Sequence, residues 1–241
     1  WFHTFDHAAI RRGVHAYQEG CSTCHSLDRI AWRNLVGVSH SVDEVKAMAA
    51  DVEYTDGPND EGQMFERPAR PSDRFRSPFA NEKAARAANN GALPPDLSVI
   101  AKAREGGADY LHALLLGYEE PPAGMTLMPG MNYNKYFAGH QIAMAQPLSS
   151  EGQVEYTDGT KPTIEQMVTD VTTFLAWAAE PEMEQRKALG VKMVLYTSGT
   201  TGRPKGVLHS HCTLAHIVAT SGRHWGMAAG EATLMPSPVT H

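Results

Sequence analysis

Residues 1–190 predict a mainly α fold with long ordered loops. Three observations carry the prediction. Apolar residues recur at helical spacing in several short segments, and those segments open on capping residues. Strand-like alternation is scarce before residue 191, and the connections are long and rich in Pro and Gly. At 241 residues the chain can hold one large domain or two small ones.

The first helix covers residues 4–20, with Ile10, Val14 and Tyr17 on one face, and Gly20 loosens its exit. Ser41-Val42-Asp43-Glu44 is a capping box, in which the Ser hydroxyl and the Glu carboxylate satisfy open amides at a helix start. The helix it opens is amphipathic through Val42, Val45, Ala49 and Val52. From Asp51 to Glu66 the chain is acidic and loop-like, turning at Gly57-Pro58. On composition it can be simply a solvated loop. Its functional role is a docking patch for a basic partner. A Pro/Arg loop follows, with Arg67, Arg70, Arg74 and Arg76 among Pro68, Pro71 and Pro78, too proline-rich for a helix or central strand.

Asn81 caps an Ala-rich helix that ends at Asn89-Asn90-Gly91. Pro94-Pro95-Asp96 starts another, from Leu97 to Arg104, stopped by Gly106-Gly107. A further helix covers Asp109 to Leu116, and 117–147 is a long loop of the kind that is usually functional. Thr163-Ile164-Glu165-Gln166 is a second capping box. Its helix buries Ile164, Met167, Val168, Val171, Phe174 and Leu175 and stops before Pro181. A last helical stretch runs from Glu182 to Lys192.

Cys21-Ser22-Thr23-Cys24-His25 follows directly on the first helix. Two thiols three residues apart on one turn can both reach the vinyl groups of one porphyrin, and the adjacent imidazole then lies under the iron. This C-x-x-C-H spacing is the attachment signature of c-type haem. A thioredoxin-like C-x-x-C would follow a strand of a βαβ unit, whereas the preceding residues here are helical. A structural zinc site needs four closed ligands, and the one other cysteine is the distant Cys212. A low-spin iron takes a second axial ligand, for which Met64, Met125, Met128, Met131 and Met144 lie in suitable loops. Met144 has small neighbours and a stiffening Pro147. Arg104 could pair with a haem propionate through its planar fork, or simply be a solvated helix residue.

Charged residues make up 20% and hydrophobic residues 42%, an ordinary globular balance, and the net charge is −6. With no basic block, nucleic acid is not an expected partner. The charge is uneven: residues 1–195 hold 26 acids and 18 bases, whereas 196–241 hold one acid and three bases. That shift marks two segments of different character. The chain opens on Trp1 without a signal-like apolar run, so the expectation is a processed or truncated start. Covalent haem attachment generally takes place outside the cytoplasm or matrix, which fits a removed targeting segment. No stretch approaches the roughly 20 apolar residues of a membrane-spanning helix.

Residues 4–192 resemble the cytochrome c1 family, the haem subunit of the ubiquinol–cytochrome c reductase (bc1) complex, in its mitochondrial form. The matching stretches begin with Ile10-Arg11-Arg12-Gly13, Cys21 to Ser26, and Asn34-Leu35-Val36-Gly37-Val38. They continue through Asp56-Gly57-Pro58-Asn59, Met64-Phe65, residues 84–98 (AARAANNGALPPDLS) and Ala103-Arg104. Gly117-Tyr118, Pro121-Pro122, Ile142 to Ala145 and residues 174–181 (FLAWAAEP) complete the likeness. The resemblance implies a cytochrome c-like helical domain with one covalent haem c on Cys21 and Cys24, and His25 as proximal ligand. It implies Met144 as the axial methionine, and Arg104 and Tyr110 as holders of a propionate. Electrons would arrive from the Rieske iron–sulfur protein and leave to soluble cytochrome c. The acidic segment 51–66 would face that cytochrome and an acidic hinge-type subunit, with cytochrome b as a further partner. The implied place is the intermembrane-space side of the mitochondrial inner membrane, or the periplasmic side in a bacterium. No catalytic acid or base is required.

The tail departs from this pattern. Where the family continues past Arg186-Lys187 into an anchor helix, the chain instead runs from Tyr196 through Thr197, Ser198, Gly199, Thr200, Thr201 and Gly202 to Arg203-Pro204-Lys205-Gly206. This string resembles the phosphate-binding loop of adenylate-forming enzymes, the acyl-CoA synthetases and their relatives. Small residues let backbone amides approach a phosphate, hydroxyls add donors, and Lys205 adds charge. A strand at Lys192 to Tyr196 and a helix at Thr213 to Thr220 would flank it. The domain reading is therefore a haem domain over 1–192 and a strand–loop–helix tail over 193–241, a fusion scar without its own core. The alternative function is a fragment of an AMP-forming acyl-CoA synthetase.

Overall fold

The computed structural model describes residues 4–188, 191–197 and 205–210. They form mainly helices and long loops, with three two-stranded antiparallel pairs. Residues Thr4–Pro181 make one compact unit.

Helix α1 spans His7–Gly20, opened by Asp6, whose carboxylate accepts from the Ala8 and Ala9 amides at 2.9 and 3.1 Å. Its buried face holds Ile10, Gly13, Val14 and Tyr17. This face crosses α6, Ile164–Ala178. Gly13 is the crossing point: a Cβ there would stand 2.2 Å from the Asp170 carbonyl oxygen and 2.7 Å from Phe174 Cβ. Beside it, Arg12 grips the fully buried Asp170 with two bonds of 2.9 Å and reaches Asp158 at 2.7 Å. The Asp170 hydrogen bond raises the pKa of that guanidinium further above its usual value, against the opposing effect of burial. An aromatic chain extends the core, from Trp177 through Phe174, Tyr17 and Phe75 to Trp32, with the last pair stacked at 4.2 Å.

Helix α2, Val42–Ala50, carries the predicted capping box complete, Ser41 and Glu44 each bonding the other's amide. Val45 and Ala49 are buried, but Val42, at the first position of the helix, is exposed; the neighbouring 3-10 turn spans Trp32–Leu35. The acidic segment is more regular than expected. Strand β1, Glu53–Asp56, pairs with β2, Phe65–Pro68, closing a hairpin around residues 57–64. Arg67 forks between Asp56 and Asp73 and ties this hairpin to the Pro/Arg loop. Pro68 sits at the end of its strand, where a missing N–H does no harm.

Helix α3, Glu82–Ala88, is capped by Asn81, and Asn90 and Gly91 leave it with positive φ. The next helix is shorter than expected: α4 covers only Ile100–Ala103. Asp96 explains this, since its carboxylate is spent on the Ser26 hydroxyl and the Asp28 and Ser98 amides, which keeps 92–97 out of the helix. Helix α5, Gly107–Leu116, leads into the long loop, braced by β3 (Asn132–Tyr133) against β4 (Gln141–Ile142). In α6 only half of the second capping box forms. Thr163 accepts from the Gln166 amide, but the Gln166 side chain turns to Asp170 instead.

Glu182 onward belongs to a second compact unit. There α7, Met183–Ala188, leads to β5, Val191–Thr197, which pairs with β6, Lys205–Ser210. The expected helix at 182–192 is thus cut short by a strand, and a second strand begins at Lys205. Residues 198–202 and the helix expected at 213–220 lie outside the described residues.

Candidate haem site

The C-x-x-C-H segment forms the turn that closes α1. The Cys21 and Ser22 amides bond to the Tyr17 carbonyl, and the Cys24 and His25 amides both bond to the Cys21 carbonyl. The backbone therefore stays coiled through the motif, which keeps both cysteines and the imidazole on successive corners of one turn. Cys21 is buried and Cys24 half-buried, and both are free thiols. Burial pushes the Cys21 thiol up to about 12, with Cys24 adding to it, so this sulfur is held as neutral S–H.

His25 is fixed at two points. Tyr17 donates its hydroxyl to the His25 carbonyl at 2.9 Å, and the ring Nδ1 lies 2.8 Å from the Pro95 carbonyl oxygen. A carbonyl only accepts, so Nδ1 carries the proton and Nε2 presents a bare lone pair. No hydrogen bond among the described residues engages Nε2. Burial lowers the imidazole's pKa, partly offset by the Pro95 bond and the Asp96 charge, and the ring stays neutral, as a metal ligand must be. Asp96 in turn is half-buried, which by itself disfavours its charge. Donation from the Asp28 amide and from Ser26 and Ser98 outweighs that burial and holds it below the usual carboxylate range.

Met144 follows β4 and packs against the core cluster. Its carbonyl accepts from the Tyr118 hydroxyl at 3.1 Å and the Asn132 amide at 3.3 Å, bonds that anchor the backbone and leave the thioether uncommitted. The loop behind it hangs on Asn134, which is fully buried. Its Nδ2 donates to the Leu114 carbonyl at 2.7 Å, and its Oδ1 accepts from the Tyr136 and Phe137 amides. Arg104 is exposed and donates to the adjacent Ala103 carbonyl. Tyr110 is half-buried against the core, under the left-handed Gly106 turn. A cleft of about 310 Å³ between α5 and α6, lined by Asp109, His112, Thr169 and Thr172, includes none of the residues singled out from the sequence.

Sequence reasoning missed Pro95, Asp96, Tyr17 and the Asn132–Asn134 anchor. The signal for the first two lay in the block 84–98, where Pro94-Pro95-Asp96 reads as a helix start.

Comparison with known proteins decides the family. A Cytochrome C1 family model matches residues 1–203. The chain belongs to the cytochrome c1 family. It is 59% identical to the mitochondrial cytochrome c1 heme protein of Saccharomyces cerevisiae over 198 residues, 82% of this chain and 64% of that relative. It is 58% identical to the mitochondrial cytochrome b-c1 complex catalytic subunit of Candida albicans over 198 residues, 82% of this chain and 68% of the relative. A mitochondrial cytochrome c1 of Arabidopsis thaliana is 55% identical over 195 residues, 81% and 63% of the two chains. The chain thus spans about two thirds of the length of the curated relatives it matches.

Membership of the cytochrome c1 family carries covalent haem c with it, and the motif's geometry fits that group: two unbridged thiols and a neutral imidazole with its outer nitrogen free. The family match continues through residue 203, so the first part of the Gly/Thr-rich string falls within the family span. Of that string, Thr197 and Lys205 are described, paired across from each other in the β5–β6 hairpin. Among the described residues no helix is long and apolar enough to cross a membrane.

Proposed function

We propose that this chain is the c-type electron-transfer subunit of a mitochondrial ubiquinol–cytochrome c reductase, taking electrons from a Rieske iron–sulfur protein and delivering them to soluble cytochrome c. The observation that carries the reading is the His25–Pro95 bond, because it fixes the tautomer that a proximal ligand needs. In this reading Cys21 and Cys24 would hold the haem covalently, and His25 and Met144 would ligate its iron. Arg104 and Tyr110 hold a propionate. Haem bound there supplies a one-electron iron couple, and a thioether ligand raises its potential relative to a second histidine.

The chain's own residues do the rest. Tyr17, Pro95 and Asp96 hold the imidazole in one orientation, and Tyr118, Asn132 and Asn134 hold the distal loop. The exposed carboxylates of Asp51, Glu53, Asp60, Glu61 and Glu66 form the docking face for a basic partner or for an acidic hinge-type subunit bridging to one. Mitochondrial placement and membership of a b-c1 complex are supported by the names of the relatives, and the proposal extends them to the intermembrane-space side of the inner membrane, beside cytochrome b. Residues 193–241 are read as a tail with no adenylating activity of their own.

A reduced-minus-oxidised absorption spectrum after co-expression with a c-haem maturation system tests the reading, paired with acid–acetone extraction. A sharp c-type α-band with non-extractable haem is the expected result. Haem that extracts, or none, would overturn it.

A further inference from the structure

Three of the described methionines share one loop. Met167 lies in the core, with Met48 and Met144 packed against it. Met125, Met128 and Met131 stay outside that cluster, in the loop between α5 and β3, at M-x-x-M-x-x-M spacing. Two consecutive turns give the spacing a shape. The Met125 amide donates to the Pro122 carbonyl at 3.0 Å, with Gly124 at φ +86° as the third residue of that turn. The Met131 amide donates to the Met128 carbonyl at 3.1 Å, across Pro129 and Gly130, the latter at φ +77°. Both are β-turns with glycine where type II geometry requires positive φ, and the second also has Pro where φ is preset. Such a turn brings its end Cα atoms within about 7 Å. Met128 and Met131 therefore start from adjacent corners, and Met125 closes the turn just before them. The Met128 amide also donates to the Gln141 side chain at 2.8 Å, tying the turn to β4.

Core filling does not account for these side chains, since Met128 is 56% exposed and its two neighbours in the motif are only half-buried. The loop's own charge is weakly acidic: residues 117–131 contain Glu119 and Glu120 and neither Lys nor Arg, with Glu119 paired to Lys135 at 3.8 Å and Glu120 left as the carboxylate that favours a cation. Thioether sulfur is soft and polarizable, and among biological metals soft sulfur ligands select Cu(I). No group of three His, Cys, Asp or Glu among the described residues is placed to hold a metal and so compete for it. We propose that Met125, Met128 and Met131 form a surface site for one Cu(I) ion, with Met128 and Met131 as its principal ligands. The site is separate from Met144, binds without any redox step, and stands independently of the haem reading.

The test uses the full chain with its haem attached and reduced, remaining thiols blocked with N-ethylmaleimide, under anaerobic conditions. Cu(I) is titrated against bicinchoninate. In parallel, 13C-labelled methionine methyls are followed by NMR as Cu(I), a diamagnetic ion that leaves the ferrous haem unoxidised, is added. One equivalent should bind, with methyl shifts confined to Met125, Met128 and Met131. Met128→Leu or Met131→Leu should weaken binding at least tenfold, and the triple Leu variant should lose it while keeping its far-UV circular dichroism. Met64→Leu, equally exposed, should leave it unchanged. The proposal is overturned if no ion is held, if the triple variant binds as tightly as the parent, or if the shifts fall on Met64 or Met144.

Discussion

The His25 ring and the Pro95 carbonyl, 70 residues apart in sequence, meet at 2.8 Å. Asp96 holds that carbonyl in place by gathering donors from the far side of the motif, Ser26 at 2.8 Å and the Asp28 amide at 2.8 Å. Replacing Asp96 with Ala should strand these donors, at a cost of about 2 kcal/mol. Covalent haem content should persist while the reduction potential shifts, because the imidazole loses its fixed donor bond. Denaturant unfolding and potentiometric titration measure the two effects separately.

The distal ligand is separable from the covalent attachment. Met144→Ala should retain non-extractable haem but lose the low-spin spectrum. Met144→Lys should restore a strong-field ligand at a lower potential than the thioether gives. A Met144→Ala protein with an unchanged spectrum would assign the sixth position to another residue.

The helix crossing tolerates no side chain at Gly13. Gly13→Ala would put a methyl 2.2 Å from backbone, so the helices must part, and a loss of about 3 kcal/mol is expected in urea unfolding. Arg12→Leu should cost a similar 3–5 kcal/mol, since Asp170 would remain buried without its counter-charge.

His40 makes stability pH-dependent. It is buried, its Nδ1 meets the Ser39 hydroxyl at 2.9 Å, and its Nε2 has no partner. Burial, then Arg11 and His15 from α1, push its pKa down to about 4 from 6.5, against a smaller opposing pull from Glu44 on α2. The unfolded chain thus binds more protons between these values, and stability contributed by neutral His40, present above pH 6.5, is lost as pH falls toward 4. The ceiling is about 3 kcal/mol. His40→Gln should flatten the stability profile in this window while leaving it unchanged near pH 8.

Partner docking should respond to the hairpin's charges. Neutralising Glu53, Asp60 and Glu61 together should slow association with soluble cytochrome c about tenfold at low ionic strength and flatten its salt dependence. Stopped-flow mixing at several salt concentrations reads this directly.

What could be read from the sequence was local. The C-x-x-C-H turn, the Ser41–Glu44 box, the Asn81 cap and the apolar face of α6 each depend on residues within four positions of one another. The family likeness narrowed five candidate methionines to Met144, favoured the propionate role for Arg104 and added Tyr110. Partners chosen across the chain were hidden. Asp96 passes for a helix starter until Ser26 claims it, and Gln166 passes for half a capping box until Asp170 does. The acidic hairpin was missed because its strands are four residues each and largely exposed, so neither shows a buried alternation.

The Arg12–Asp170 contact joins residues 158 positions apart, and the helix it anchors is the one that ends in the haem motif. Closing a loop of that length costs about 4.5 kcal/mol of chain entropy before any contact repays it. High contact order of this kind makes folding slow. During vectorial synthesis or translocation, α1 therefore lacks its main packing partner until α6 emerges, with only contacts such as Arg11–Glu44 and Tyr17–Phe75 available before then. Cys21 and Cys24, buried or half-buried afterwards, are open to a haem-attaching enzyme throughout that interval.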